Sequence, residues 1–212
     1  MTLKNNIAQF LVRIGVSANF LTAAGLGVAA LSGFFALRGQ FIYAGVFLLL
    51  SGALDMLDGA VAREAKTDKP FGGILDSTLD RYGDVFVLGG VLFYCVGAGR
   101  ILFAALALSA IIGSFVISYV RARAECEIDS CRTGFWERGE RMGYLILGLA
   151  LNNISLTVAV LAVGTQWTVL QRLLYAHNKN KYPFLFSTGR TRFRYYIKLI
   201  LLLLAALFIK LN

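Results

Sequence analysis

The residues in this chain most able to do chemistry are four aspartates in one stretch. It reads Asp55-Met-Leu-Asp58-Gly59-Ala-Val-Ala62-Arg63, then eight residues, then Gly72-Gly-Ile-Leu-Asp76-Ser-Thr-Leu-Asp80. Asp55 and Asp58 are three apart and share a helix face, as do Asp76 and Asp80, four apart. A hairpin between the two helices turns those faces toward each other. Four carboxylates in one pocket cannot all stay ionised without protons or cations. An all-oxygen set suits hard divalent ions, Mg2+ or Mn2+, and two such ions balance four carboxylates. Two metals held this way are suited to displacement at phosphorus. Gly59 and Gly72 let phosphates approach the backbone closely. Arg63 offers a fixed bidentate charge for one of them. The plainer reading pairs the acidic residues with Arg63, Lys66, Lys69 and Arg81 as loop charges, and suits Glu64 and Asp68. It does not suit aspartates set inside or beside apolar helices, where they are costly. Asp84, one turn beyond Asp80, either extends the site or holds a helix end.

The elements that must position this cluster are membrane-type helices. Of 212 residues, 58% are hydrophobic and 16% charged, against about 45–50% and 25% in a soluble domain. This excludes a disordered chain, a disulfide scaffold and a nucleic-acid-binding globule. The net charge of +9 fits basic cytoplasmic loops and anionic headgroups. Apolar runs predict six spans near residues 19–37, 41–62, 72–96, 101–119, 141–151 and 154–176. The fifth must borrow its polar first turns, and Asn152-Asn153 reads as a tight turn. Glycines 83, 89, 90, 97 and 99 would let the third span pack closely. Ile7, Phe10, Leu11 and Ile14 follow a helical period and predict an N-terminal amphipathic helix on the membrane over residues 1–18. The expected plan is therefore all-α: this interfacial helix, a six-span domain over 19–176 and a basic tail over 177–212. The tail's apolar stretch, with Lys198 and Lys210, reads as interfacial or peripheral.

Charge placement sets the orientation. Basic residues gather before span one, between spans two and three and spans four and five, and after span six. The opposite turns hold Arg38 and Arg100. The positive-inside rule puts the N-terminus and the charged regions in the cytoplasm. All 12 acidic residues lie between Asp55 and Glu140, on that same side. Cys126 and Cys131, with the single His177 distant in sequence, do not make a zinc site. No cleavable signal peptide is visible. A transporter would need polar residues deep in several spans and an internal repeat. Charge at one face favours an interfacial enzyme instead.

The run D-x2-D-G-x2-A-R-x8-G-x3-D-x3-D resembles the signature of the CDP-alcohol phosphotransferases, integral membrane enzymes of phospholipid synthesis. Asp55, Asp58, Gly59, Ala62, Arg63, Gly72, Asp76 and Asp80 fill every fixed position. The resemblance implies that the four aspartates hold two metals and that Asp80 is also the general base. It implies a CDP-lipid with its pyrophosphate near Arg63, a hydroxyl attacking the phosphorus nearer the lipid, and release of CMP. It implies a homodimer. Ser17-Ala18-Asn19-Phe-Leu-Thr22 resembles the family's nucleotide-bordering stretch, although Ala18 replaces a proline; Asn19 and Thr22 are carried over from it.

The acceptor is signalled elsewhere. Arg121 and Arg123 close span four, Arg138 and Arg141 open span five, and Gln171-Arg172 ends span six. Arginines on three helix ends beside a carboxylate site suit an anionic acceptor. The plainer reading is headgroup anchoring, which Arg132 fits. Arg121-Ala-Arg123-Ala-Glu125, Glu137-Arg138-Gly-Glu140-Arg141 and Gln171-Arg172 resemble the prokaryotic subgroup that uses inositol phosphate with a diacyl or ether CDP-lipid. Arg121 stands where that subgroup often has lysine, and Cys126-Glu127-Ile-Asp129 replaces a glycine-richer loop. Inositol phosphate is the expected acceptor, with glycerol 3-phosphate as the alternative.

Overall fold

The computed structural model describes residues 3–65 and 70–181. Lys66, Asp68, Lys69 and the expected tail beyond Lys181 lie outside the described residues. Within them the chain is all-helical: α1 Leu3–Arg13, α2 Ala18–Leu37, α3 Phe41–Glu64, α4 Pro70–Gly97, α5 Ile101–Ala124, α6 Arg138–Ala150 and α7 Ile154–Lys181. Helix α7 runs past the boundary expected at residue 176.

The boundaries follow local chemistry. Ser17 caps α2 by accepting from the Phe20 amide, satisfying one of the helix's orphan donors. The turns after α2 and α4 use Gly39 and Gly99 at positive φ, and Asn152 takes φ 54° in the expected Asn-Asn turn. Short turns make consecutive helices antiparallel, so α3 carries its aspartates at the end away from Arg38. Helix α2 packs on α3 and α4, α5 on α4 and α7, and α6 on α3 and α7.

Four helices, α2, α3, α5 and α7, are long and apolar enough to cross a membrane. Large apolar residues such as Phe34, Ile42, Leu49, Leu102 and Val163 stay exposed on their outer faces, as expected of helices in lipid. Helices α4 and α6, also expected to span, fall outside that set. Helix α4 is 28 residues long, but Asp76, Asp80, Arg81 and Asp84 load its first half with charge. Helix α6 has only 13 residues, about 20 Å at 1.5 Å per residue, short of a 30 Å hydrocarbon core. It cannot start earlier, because the chain before it is pinned outside helical geometry. The Trp136 amide donates to Thr168 Oγ1 and the Thr133 carbonyl accepts from Arg172. Phe135 and Trp136 are buried there.

Helix α1 does not present its apolar face as one surface. Ala8 is buried against Ala60 and Val61 of α3, with Leu11 and Val12 packed on the same cluster. Ile7, Phe10 and Ile14 face outward.

The contact that brings the two aspartate helices into register is between α2 and α4. A side chain at Gly90 would collide with the backbone of Gly33, and one at Gly33 with the backbone of Phe86. The helices therefore cross at backbone distance, as small residues permit in lipid-facing bundles. Gly83 lies against Ala29, whereas Gly89 has open space. Gly90→Ala should cost about 1–3 kcal/mol by overpacking and lower the thermal midpoint in detergent by roughly 2–10 °C. Gly89→Ala, one residue away, should leave the midpoint within a degree or two. Equal midpoints for the two variants would refute this packing.

Candidate active site

Helix α3 delivers Asp55 and Asp58 on its last two turns, and α4 delivers Asp76 and Asp80 on its second and third. One carboxylate oxygen from each of Asp55, Asp76 and Asp80 lies within 4.8 Å of the others. Asp58 stands beside this trio and is turned to α2. Its Oδ2 lies 2.8 Å from Thr22 Oγ1, which also lies 3.0 Å from the Ala18 carbonyl. One hydroxyl proton serves two acceptors there, and the Gly59 amide also hydrogen-bonds the Asp58 carboxylate.

Counter-charge comes from α6 and α4. Arg138 donates from Nη1 to Asp55 Oδ1 at 2.9 Å and from Nη2 to Asp80 Oδ1 at 2.8 Å. Its planar fork thus bridges the two aspartate helices. Arg81 approaches Asp80 at 3.7 Å. Asp76 Oδ1 is buried with no hydrogen-bond partner among the described residues. A buried carboxylate oxygen without a donor, beside two more carboxylates, fits a hard divalent cation. The cluster can bind a metal on its donor chemistry alone.

Two cavities adjoin it. A cleft of about 310 Å³ is lined by Asn19, Thr22, Asp58, Gly59, Ala62, Gly72 and Asp76, with Ser17, Ala18, Phe71 and Gly73 completing its wall. All the residues expected to meet a CDP-lipid therefore line one cleft, apart from Arg63. Arg63 sits on the exposed end of α3 with its guanidinium against Gly59. A cavity of about 20 Å³ lies beneath Asp55, Asp58, Asp80 and Arg138, room for a single water. Phe71 and Gly73 were missed in the sequence, although Gly73 only doubles the signalled Gly72. Arg81, which the plainer reading pairs with the carboxylates, lies beside Asp80.

The five arginines expected to hold the acceptor have different partners. Arg138 is on the carboxylates. Arg141 is 5% exposed and donates to Asp84 Oδ2 at 3.0 Å and to the Trp136 carbonyl at 3.0 Å. Arg172 is 2% exposed and donates to the Thr133 and Ile117 carbonyls. Arg121 pairs with Glu125 at 3.1 Å, and Arg123 pairs with Glu127 at 2.8 Å in the open. Burial alone would raise the Glu125 pKa. The Cys131 amide and the Arg121 guanidinium outweigh it and hold the carboxyl below the ordinary glutamate value. Glu125 therefore stays ionised and keeps Arg121 engaged. Cys126 is exposed and Cys131 buried, both as thiols.

Comparison with known proteins identifies the family. The profile of the family "CDP-alcohol phosphatidyltransferase" matches residues 15–174. The archaetidylinositol phosphate synthase of Methanothermobacter thermautotrophicus is 34% identical over 175 residues, covering 80% of this chain and 87% of that protein. The phosphatidylinositol phosphate synthase of Corynebacterium glutamicum is 37% identical over 183 residues, covering 80% of this chain and 82% of that one. The crystal structure of Mycobacterium tuberculosis phosphatidylinositol phosphate synthase with CDP-DAG bound superposes with TM-score 0.77 at 29% identity. It covers 82% of this chain and 93% of that one. The same mycobacterial enzyme in complex with manganese and citrate gives 0.76 at 29% identity, covering 82% and 89%.

Saturating Mn2+ should raise the thermal midpoint of the protein in detergent. At about 100 times Kd, ligand binding stabilises a fold by about 2.7 kcal/mol. Asp76→Asn should lose most of that rise, because it removes the oxygen that lacks a protein partner. An undiminished Mn2+ shift in Asp76→Asn would remove Asp76 from the metal-binding set.

Proposed function

The chain belongs to the CDP-alcohol phosphatidyltransferase family, a family of phospholipid-synthesising transferases, and we propose that it transfers the phosphatidyl-type group of a CDP-lipid to inositol phosphate. The observation that carries this reading is the trio Asp55, Asp76 and Asp80, set between the 310 Å³ cleft and the Arg138 guanidinium. Asp55, Asp58, Asp76 and Asp80 would hold two Mg2+ or Mn2+ ions. When bound, these ions neutralise the pyrophosphate and stabilise the departing CMP.

The chain's own residues do the rest. Asn19, Thr22, Gly59, Ala62 and Gly72 receive the cytidine diphosphate in the cleft, where glycines leave the backbone open to phosphate. Arg63 adds charge at the rim. Asp80 accepts the proton of the acceptor hydroxyl as its oxygen bonds to the phosphorus nearer the lipid. The bond from that phosphorus to the CMP oxygen breaks, and CMP leaves with the electron pair. Positioning and charge neutralisation account for most of such a displacement.

Arg138 is the arginine best placed to meet the acceptor's phosphate, with Arg121 and Arg123 next at the open end of α5. Arg141 and Arg172, expected in the same role, are held by Asp84, Trp136, Thr133 and Ile117, and Arg141 keeps a buried Nε with no hydrogen-bond partner among the described residues. The reading puts the active site at the cytoplasmic face of the cell membrane in a homodimer, in keeping with the basic residues around the carboxylates.

The deciding measurement is CMP release by purified protein given CDP-diacylglycerol or its ether analogue, Mn2+ or Mg2+, and a panel of alcohols. Turnover should be fastest with inositol phosphate. Faster turnover with free inositol would overturn the reading, and faster turnover with glycerol 3-phosphate would reassign the acceptor. Asp55→Asn, Asp58→Asn and Asp76→Asn should each abolish turnover while the protein stays folded.

Asp80→Asn separates the roles of that residue. Loss of a general base costs about 100- to 10,000-fold in rate. CDP-lipid binding should move far less, because other groups hold the nucleotide. Parallel losses in rate and binding would reduce Asp80 to a metal ligand.

A further inference from the structure

Arg81 is the cation at this site to which the proposed reaction gives no task. It follows Asp80 on α4, and its Nη1 lies 3.7 Å from Asp80 Oδ2, beyond hydrogen-bond length. That nitrogen is buried and has no hydrogen-bond partner among the described residues. A quarter of the side chain's surface stays exposed, 25%, so the guanidinium is not sealed in the interior. The charges that act on it are Asp84, Asp80, Arg141 and Arg138.

Both arginines among those neighbours share its condition. Arg138 holds Asp55 and Asp80 through its two Nη atoms, and its Nε is buried without a partner. Arg141 holds Asp84 and the Trp136 carbonyl through its two Nη atoms, and its Nε is likewise buried without a partner. A buried donor left unpaired is costly, more so on a charged group, and folded proteins leave few of them. Three such guanidinium nitrogens in one cluster mark a place for an acceptor of hydrogen bonds that the chain itself does not supply.

A phosphate answers that need. Its several oxygens accept from guanidinium groups arriving from different directions, in charge-assisted bonds. Both expected substrates carry phosphate, and the geometry separates them. The 310 Å³ cleft that would receive the cytidine diphosphate is lined by Asp58 and Asp76 and by none of these three arginines. Arg81 and Arg138 adjoin Asp80 instead, the carboxylate proposed to take the acceptor's proton. A phosphate held by them belongs to the molecule whose hydroxyl meets Asp80.

We propose that Arg81 is a specificity-determining residue: with Arg138 and Arg141 it binds the phosphate of the acceptor, and so selects a phosphorylated alcohol over the free one. This rests on the proposed transfer to a phosphorylated acceptor. It means that α4 supplies both the base and a phosphate ligand to the same substrate, from consecutive residues.

The test is CMP release over a matrix of acceptor and CDP-lipid concentrations, for the wild type, Arg81→Gln and Arg81→Lys. Radiolabelled CDP-lipid and long incubations make slow reactions measurable. Folding and metal binding are checked by the thermal midpoint in detergent with and without Mn2+, which should rise equally in all three proteins. Arg81→Gln should raise the KM for inositol phosphate by about 10- to 100-fold. The KM for the CDP-lipid should stay within about 2-fold. Slow turnover of free inositol should be the same in Arg81→Gln as in the wild type, so the preference for the phosphorylated acceptor falls by the factor lost. Arg81→Lys should recover part of that factor, since lysine keeps the charge but lacks the fork.

An unchanged acceptor KM in a folded Arg81→Gln would overturn the inference, and would leave Arg81 a structural or headgroup-anchoring charge. Equal rises in both KM values would also overturn it. So would a fall in kcat at constant acceptor KM, which would show Arg81 acting on Asp80 alone. If Arg81→Gln does not fold, Arg81→Lys decides: its KM must rise for the acceptor alone. Failure of the underlying reading appears in the wild type, before any variant is made. Faster turnover of free inositol there would remove the phosphorylated acceptor and this inference with it. A wild type that prefers glycerol 3-phosphate changes the acceptor, and the same measurements are then made with that substrate.

Discussion

The structure is organised around a concentration of negative charge at one end of an apolar bundle. Two carboxylates about 5 Å apart repel by roughly 3–4 kcal/mol at an effective dielectric near 20. The trio Asp55, Asp76 and Asp80 contains three such pairs, and Asp58 stands beside it. That cost is relieved by protons or by cations, and among the described residues of α3 and α4 Arg81 is the cation that reaches Asp80. Helix α6 supplies the remainder by starting at Arg138, directly opposite the cluster. Its brevity, which leaves it unable to span a bilayer alone, places a guanidinium where a longer helix would place an apolar turn.

The same constraint explains why the segment before α6 is irregular yet buried. A guanidinium has five donors and no acceptor, and the carbonyls inside a helix are largely taken by that helix. Arg141 and Arg172 are almost wholly buried, and each finds a carbonyl in the non-helical stretch, Trp136 and Thr133. Straightening that stretch into helix would commit those carbonyls and strand two buried cations. Phe135 and Trp136 then fill the space between α5, α6 and α7 and bring the segment into the core.

The donor half of the site was legible in the sequence because helical spacing fixes it. Carboxylates three and four apart on two helices of a hairpin have few alternatives, and a signature with eight fixed positions leaves little freedom. The helix boundaries followed from apolar runs punctuated by Gly39, Gly99 and Asn152. The acceptor arginines were not legible to the same depth. Arg138 and Arg141 open α6 and Arg172 lies in the second half of α7, and spacing cannot say which partners each one finds. That depended on where the carbonyls of 133–136 fall and on Asp84 pairing across 57 residues, both tertiary facts. The face of α1 was misjudged in detail for a related reason. Leu11 belongs to the same periodic stripe as Phe10 and Ile14, but α3 covers only its side of the helix.

Burial sorts these arginines by what they can give up. Arg172 holds two backbone carbonyls, and removing it would leave both without their donor. Arg141 holds a buried carboxylate and a carbonyl, and releasing either would leave a charge or a dipole unsatisfied in a dry interior. Arg138 differs in kind. Its partners, Asp55 and Asp80, are the oxygens a divalent ion would take, and its side chain keeps 24% of its surface exposed. Losing those partners to another cation would leave no buried anion uncompensated. The same two helices thus carry one ion pair that can exchange and, a turn deeper, one that cannot.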